Sequence, residues 1–560
     1  MRLDEVLAQL SRGWRGPAVA ALIAFLAGLP GLIFMPTLDR DEARFAQATA
    51  QMLESRDYVV IRFQEAPRFK KPVGIHWLQA ASVKLLSRPE ARQIWAYRVP
   101  SLLGVMLAAA ACAWGASALY GAPAGLFAGA LLGGGVLVST EAFIAKTDAA
   151  LLGATTLAMA ALARIYVSRS GGPKVGRRAV WMFWGAIAAA ILIKGPVGPM
   201  VVALAITALA VADRRVSWLA DLKGYWGLII ILAVVGPWAG AVTVATDGGF
   251  WTHAIGGDLA PKLAGGQESH GAAPGYHLLL TPLLAFPMTL LLPAAAVVAW
   301  RHRTEPGVRF ALAWLLPTWL AFELLPTKLP HYLMPAYGAL AWLAVRALAE
   351  PIGASGRWLG AGLAVVVGLG LAAGVYVLLG RYGDAADGAA AIVTAVLLAG
   401  AGLAGAALLL RRRPREAVLV ALVFTVLGHG VLAGAFAPGL GPLWLSARVE
   451  RALAQARLLP RQGVAEAPVA VAGYAEPSLV FELGSATELN GPAEAAQAIA
   501  ENRPAIVEAH EEAAFRRALT ARGVRVRAVG EVDGLNYSKG DETALRVYVA
   551  GGNGQDEVRR

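Results

Sequence analysis

Apolar runs of about 20 residues, each long enough to cross a hydrocarbon core about 30 Å thick, recur along most of this chain between short polar connections. The runs lie near 17–36, 95–119, 121–138, 148–166, 179–193, 195–212, 225–245, 276–300, 308–325, 333–349, 357–379, 388–410 and 416–437, about thirteen by the length criterion. Those around 121–166 and 179–212 are short or split, the latter by Lys194-Gly195-Pro196. From about Gly441 the pattern changes. Strand-like pieces (Pro468 to Ala472, Ala505 to Val507, Leu545 to Val549) interleave with helix-like ones (Ala493 to Ala500, Glu511 to Ala521), which reads as a small α/β domain. The expected protein is mainly α and polytopic: a membrane part over 1–440 with one large polar loop at 37–94, and a soluble part over 441–560.

Composition agrees. The chain is 57% hydrophobic and 16% charged over 560 residues, against roughly 25% charged in soluble proteins. Its single cysteine, Cys112, excludes an intramolecular disulfide and a zinc-thiolate cluster. A net charge of +12 would point a soluble protein towards nucleic acid. Here the basic residues sit in short connections, so they report topology, and a nucleic-acid partner is not expected. Arg169, Lys174, Arg177 and Arg178 form one such connection, Arg214, Arg215 and Lys223 a second, Arg301, Arg303 and Arg309 a third, and Arg411, Arg412, Arg413 and Arg415 a fourth. Alternate crossings from a cytoplasmic N-terminus put all four inside. The loop 37–94, the junctions at Asp148, Lys194 and Lys328, the loop 246–275 and the tail then lie outside. The first run follows Arg2, Arg12 and Arg15 but is long for a signal peptide, and no small-residue cleavage site follows it before Asp39, so it reads as an uncleaved helix.

Charged groups are costly in or near the hydrocarbon and need a reason to persist there. They fall at the outer ends of the runs: Asp39, Asp41, Glu42 and Arg44, then Lys70 and Lys71, Asp148, Lys194, His270, Lys328 and His331. Asp41 opens an amphipathic segment running to Leu53 that reads as a helix along the membrane interface, and Asp39 or Asp41 is placed to cap it. A second interfacial segment runs from Phe69-Lys70-Lys71-Pro72 to Leu85, where paired lysines suit either a bound phosphate or lipid headgroups. Lys194 suits either a site or an interfacial anchor.

The run Asp39-Arg40-Asp41-Glu42-Ala43-Arg44-Phe45, then Phe69-Lys70-Lys71-Pro72 and Lys328-Leu329-Pro330-His331-Tyr332, resembles the aminoarabinose transferase and protein O-mannosyltransferase group of glycosyltransferases. Lys146-Thr147-Asp148, Lys194-Gly195-Pro196 and Asp258 to His270 with Pro274 add to the likeness. The resemblance implies the GT-C fold, with a catalytic membrane domain, two juxtamembrane helices in the first outside loop and a periplasmic domain. It implies that Asp41 is the catalytic carboxylate and that Arg44 and Lys71 lie near the carrier phosphate. Glu42, Lys194, His270, Lys328, His331 and Tyr332 join them as candidate substrate contacts. In the arabinose-transferase branch a glutamate before Lys-Pro and a histidine matching His270 are associated with zinc. This chain has Lys70 at the first position, and one histidine without partners is rarely a zinc site, so a structural zinc is not expected, while a divalent metal stays open and no other cofactor is indicated.

The residues themselves carry compatible chemistry. Cleaving a glycosyl bond to a lipid-linked phosphate builds negative charge on the leaving group, which Arg44, Lys71 and Lys328 are suited to stabilise. An acceptor hydroxyl or phosphate attacks the anomeric carbon, and a carboxylate base helps where the acceptor must lose a proton, with Asp41 the first choice and Asp148 the second. The expected function is transfer of a sugar from a polyprenyl-phosphate carrier to a glycolipid such as lipid A, a glycan or a protein, at the periplasmic face of a bacterial inner membrane. A polymerase or ligase of lipid-linked glycans shares these features. A transporter or flippase of lipid-linked sugars would place its ionisable groups near the bilayer midplane.

Overall fold

The structure is a computed structural model, and it describes residues 3–169, 176–260, 271–460 and 468–551. It is a multi-span membrane protein with a small mixed sheet near its C-terminal end. Among the described residues, nine helices are long and apolar enough to cross a membrane, or ten if one bent pair counts as a span.

Each of the thirteen apolar runs is helical, but the count of thirteen crossings does not follow. Ala122–Gly133 and Val197–Asp213 are short, with 12 and 17 residues. Arg177–Lys194 carries charge at both ends. Tyr276–Leu284 and Met288–Arg301 meet at a bend of 113°. Hydropathy measures what a run can be buried in. It does not measure whether the run stays straight.

At the centre stands Thr147–Ser168, with 89% of its apolar window buried. It packs closely on Ile94–Tyr120 because both helices carry glycine at the crossing. A Cβ on Gly104 would lie 2.5 Å from the carbonyl oxygen of Ala149, and one on Gly153 would lie 2.5 Å from that of Gly104. Small residues let membrane helices approach backbone to backbone, and this crossing seats Asp148 at the head of its helix. By contrast Gly224–Ala245 has only 11% of its window buried, and Leu228, Ile229, Leu232 and Val244 are left exposed for lipid to cover.

The first large loop forms two helices, Asp41–Ser55 and Gly74–Leu86. The first does not lie open along an interface as its amphipathic pattern predicts. Glu42, Ala43, Phe45 to Ala50, Met52 and Leu53 are all buried, because membrane core, partner helix and tail enclose it. Thr49 bridges to the second helix through His76 Nδ1 (2.8 Å) and Gln79 Oε1 (2.6 Å). That second helix keeps Trp77, Leu78, Leu85 and Leu86 exposed, as an interfacial helix does.

In the tail, the strand order is Glu488–Asn490, Ala470–Ala472, Ala505–Glu508, Asp541–Ala550, Val526–Asn536, with the first three parallel and the last two antiparallel. Strand side chains alternate between faces. Val469, Val471 and Ile506 therefore pack towards Leu445–Gln455 and Pro477–Leu483, whereas Ala470, Ala472, Ala505 and Val507 meet Pro492–Ala500 and Glu512–Arg522. The sheet is fastened to the first loop by Arg92. It is buried and donates to the carbonyl of Phe481 (2.9 Å), the Ser485 hydroxyl (2.9 Å), the Gln47 side chain (2.7 Å) and Glu54.

The four basic connections gather at the end of the helix bundle away from this loop. Arg169 pairs with Asp221 at 2.5 Å, Arg309 pairs with Asp213, and Arg346 bridges Glu305 and Glu350 at 2.9 Å each. Arg412, Arg413 and Arg415 line a cavity with Glu350 and Arg357 at that same end.

Candidate active site

Where the first loop meets the bundle there is a cavity of about 330 Å³. Its polar wall carries six cations, Arg44, Arg68, Lys70, Lys71, Lys146 and Lys194, against two carboxylates, Asp41 and Asp148. The lining also has apolar and aromatic side chains, among them Phe250, Trp251, Ile255, Phe322 and Leu325. A cavity lined by a surplus of cations together with apolar and aromatic side chains fits a lipid that ends in a phosphate.

Six separate stretches of the chain converge on it, 41–45, 68–72, 146–151, 194–197, 250–255 and 322–335. Asp41 and Arg44 come from the start of Asp41–Ser55, and Lys71 from the turn before Gly74–Leu86. That turn is pressed against the end of Arg177–Lys194: a Cβ on Gly74 would lie 2.6 Å from the carbonyl oxygen of Leu192. Only glycine permits this approach, and it brings the Lys71 loop beside Lys194. His331 and Tyr332 come from the 3-10 turn Pro330–Ala336.

Asp148 is not an open carboxylate. Its Oδ1 accepts from Lys194 Nζ at 2.5 Å and lies 3.7 Å from His331 Nε2, and its Oδ2 lies 3.9 Å from Lys146 Nζ. Lys146 in turn contacts Glu141 at 2.9 Å. Lys194 also lies 5.4 Å from the centre of the Tyr332 ring. This is a buried network in which two ammonium groups face two carboxylates, so Asp148 holds and orients lysines.

Asp41 differs in each respect. The residue is exposed and lines the cavity. The helix cap is Arg40, with no side-chain capping bond, so neither Asp39 nor Asp41 caps this helix. Among the described residues no side chain or backbone group donates a hydrogen bond to the Asp41 carboxylate. Its neighbour Glu42 is turned the other way and does not line the cavity. Glu42 Oε1 and Oε2 accept from Arg98 Nε (2.8 Å) and Nη2 (2.7 Å), and from the N–H groups of Ala145 and Leu38, both at 2.8 Å. Arg98 and Glu42 are fully buried there, which makes the pair an anchor for the helix start.

Lys328 is also outside the cavity wall. Its ammonium donates to the carbonyls of Ala272 (2.9 Å) and Leu325 (2.8 Å), tying down the segment that pairs Gly271 with Thr327. His270 lies outside the described residues. Lys70, at the position of the zinc-associated glutamate, is exposed on the cavity rim. Among the described residues no three His, Cys, Asp or Glu side chains come together as metal ligands. Three members of the site were not singled out from sequence: Arg68, Lys146 and Glu141. Lys146 stands in the Lys146-Thr147-Asp148 motif without a role assigned to it, and the signal that could have found Glu141 is that an acid beside an apolar run points to function in a membrane chain.

The family model of dolichyl-phosphate-mannose-protein mannosyltransferases matches residues 70–240. The undecaprenyl phosphate-alpha-4-amino-4-deoxy-L-arabinose arabinosyl transferase 2 of Pseudomonas fluorescens is 29% identical over 387 residues, 66% of this chain and 67% of that protein. The corresponding transferase of Pseudomonas paraeruginosa is 28% identical over 59% of each chain. The chain thus spans about three fifths to two thirds of the length of these curated relatives. ArnT from Cupriavidus metallidurans, solved bound to undecaprenyl phosphate, superposes with a TM-score of 0.73 at 21% identity, over 95% of this chain and 96% of that one. Its apo state gives 0.71. The fold is therefore shared with ArnT, and the resemblance to the aminoarabinose transferase and mannosyltransferase group extends from motifs to architecture.

Proposed function

We propose, from the fold shared with ArnT, that the protein is a polyprenyl-phosphate-sugar-dependent glycosyltransferase acting on an envelope glycolipid such as lipid A. The observation that carries this reading is a carboxylate, Asp41, that accepts no hydrogen bond among the described residues and shares with six cations a cavity that also has apolar lining. The relatives' names and the undecaprenyl phosphate bound to ArnT support the same class of donor.

The prenyl chain lies against Phe250, Trp251 and Phe322, and the phosphate meets Arg44 and Lys71, with Lys194 and Lys146 held behind them by Asp148 and Glu141. An acceptor hydroxyl oxygen forms the new bond to the anomeric carbon while the bond from that carbon to the phosphate oxygen breaks. The bonding pair leaves with the phosphate, where the cations stabilise it. The acceptor proton passes to Asp41 Oδ. Products are the glycosylated acceptor and free polyprenyl phosphate.

In this reading the cavity opens to the periplasm of the bacterial inner membrane, with the N-terminus in the cytoplasm and the tail outside. Collection of the basic connections at the far end of the bundle supports that orientation. Purified protein given radiolabelled polyprenyl-phosphate sugar and lipid A is expected to release polyprenyl phosphate in step with labelled acceptor. Intact donor carried across vesicle membranes, with none cleaved, would make the protein a transporter. The acceptor is tested by analysing envelope glycolipids from a strain lacking the protein.

A further inference from the structure

Three of the four residues before Asp41, namely Thr37, Asp39 and Arg40, are held by the tail. Thr37 Oγ1 donates to Glu482 Oε1 at 2.6 Å. The Asp39 carboxylate accepts from the Ser478 hydroxyl, and the Asp39 N–H donates to the Tyr537 hydroxyl at 2.7 Å. The Arg40 guanidinium donates to the Ser538 carbonyl. Tyr537 and Ser538 belong to the turn between the last two strands, and that turn is itself braced. Its Gly540 N–H and Lys539 N–H both donate to the Asn536 carbonyl (2.7 and 3.0 Å), and the Asn536 amide donates to Glu476 (3.1 Å).

Arg40 has φ 60° and ψ −105°, a conformation that a residue with a Cβ avoids and keeps only where its surroundings impose it. On the other side of Asp41, Glu42 is fixed to the membrane core through Arg98. Asp41 therefore sits between a core anchor and a tail anchor, and the direction of its side chain depends on the dihedral angles of Arg40. Relaxing Arg40 to an extended or helical conformation would rotate the chain entering the helix and swing the carboxylate away from the cation wall.

We propose that the turn Asn536–Asp541 of the tail is part of the active site as a positioning element, which through Arg40 aims Asp41 at the acceptor. The inference rests on Asp41 being the base. It assigns Arg40, Tyr537 and Ser538 to positioning, since none of them lines the cavity. A displacement of about 1 Å at a reacting group costs about a hundredfold in rate, and the donor contacts at Arg44 and Lys71 are left in place. Loss of the anchor thus lowers kcat and spares donor KM.

The test is a cycle on the full-length protein in detergent, with label transfer measured at saturating donor. Arg40→Ala is expected to lower kcat about tenfold to a hundredfold with donor KM within about twofold, and Arg40→Lys, which again offers a donor to the Ser538 carbonyl, to recover most of it. In an Asp41→Asn background, Arg40→Ala is expected to change kcat by less than about twofold, because a residue acting through Asp41 has nothing left to aim. If Arg40→Ala does not fold, Tyr537→Phe reads the same device and is expected to lower kcat in the same way. Loss on Asp41→Asn with none on Arg40→Ala or Tyr537→Phe overturns the inference and leaves Asp41 as the base. Equal proportional losses in both backgrounds also overturn it. Activity retained by Asp41→Asn overturns both the inference and the base assignment.

Discussion

Lys194 Nζ and Asp148 Oδ1 lie 2.5 Å apart in the wall of the cavity, with 14% and 7% of their side chains exposed. Removing one partner of a buried pair leaves the other uncompensated, at a cost of about 3–5 kcal/mol. Asp148→Ala is expected to lower the thermal stability of the detergent-solubilised protein by that order. The double change with Lys194→Ala is expected to recover part of the loss, because Lys146 still has Glu141 at 2.9 Å. If the two single losses simply add, the pair is not coupled.

Asp41→Asn separates catalysis from folding more cleanly than capping alone would allow, because the Asp41 side chain makes no capping bond. Loss of a general base costs about a hundredfold to ten-thousandfold. Label transfer is expected to fall by that factor while size-exclusion behaviour and donor binding stay unchanged. Retention of more than about a tenth of the activity would be too much for a missing base.

Lys71 and Lys328 resemble each other in sequence context, each two or fewer residues before a proline, and are expected to behave differently. Lys71→Ala is expected to raise donor KM or lower turnover about tenfold or more, as loss of a charge-assisted contact worth about 1.5–3 kcal/mol implies. Lys328→Ala is expected to cost about 1–3 kcal/mol of stability through two orphaned carbonyls and to leave donor KM near its original value. Titrating donor against both variants, with melting curves alongside, decides the assignment.

Asp39 gives a pH signature. Burial, with the nearby Glu476 adding to it and the Ser478 hydroxyl opposing, pushes its carboxyl up to about 6 from an ordinary 3.8. Between about pH 4 and 6 the folded protein holds a proton that the unfolded chain releases. The contribution is therefore complete below the unfolded value and is lost as pH rises through the folded one. Asp39→Asn is expected to leave the melting temperature unchanged at pH 4 and to raise it at pH 7, the gain in stability being no more than about 3 kcal/mol since each pKa unit is worth about 1.4. A pH 7 melting temperature unaltered by Asp39→Asn would mean that the carboxyl titrates normally.

Orientation is checked by reporter fusions. An alkaline-phosphatase fusion after Arg560 is expected to be active and one at Arg178 inactive. The reverse pair would put the cavity on the cytoplasmic side.

By itself the sequence determined where the chain enters lipid-compatible helices, that strands interleaved with helices follow them, and which connections carry the reactive residue types. These are sums over local composition, and apolar length or alternation expresses them without knowledge of contacts. It even located the motifs that meet at the cavity, because Asp41, Lys71, Asp148, Lys194 and His331 all fall at run ends on one side. Tertiary structure decided what each of those groups does. Asp41 and Glu42 are adjacent acids about 100° apart around a helix, and only the position of Arg98 tells which one is spent as an anchor and which is left open. Lys328 points at two carbonyls because the chain folds Ala272 and Leu325 beneath it, and Asp148 is occupied because Lys194 arrives from another helix. The bend after Leu284 and the docking of Ser478, Tyr537 and Ser538 on residues 39 and 40 are likewise invisible in the pattern. A side chain's direction depends on partners hundreds of residues away, and a hydropathy pattern contains no term for them.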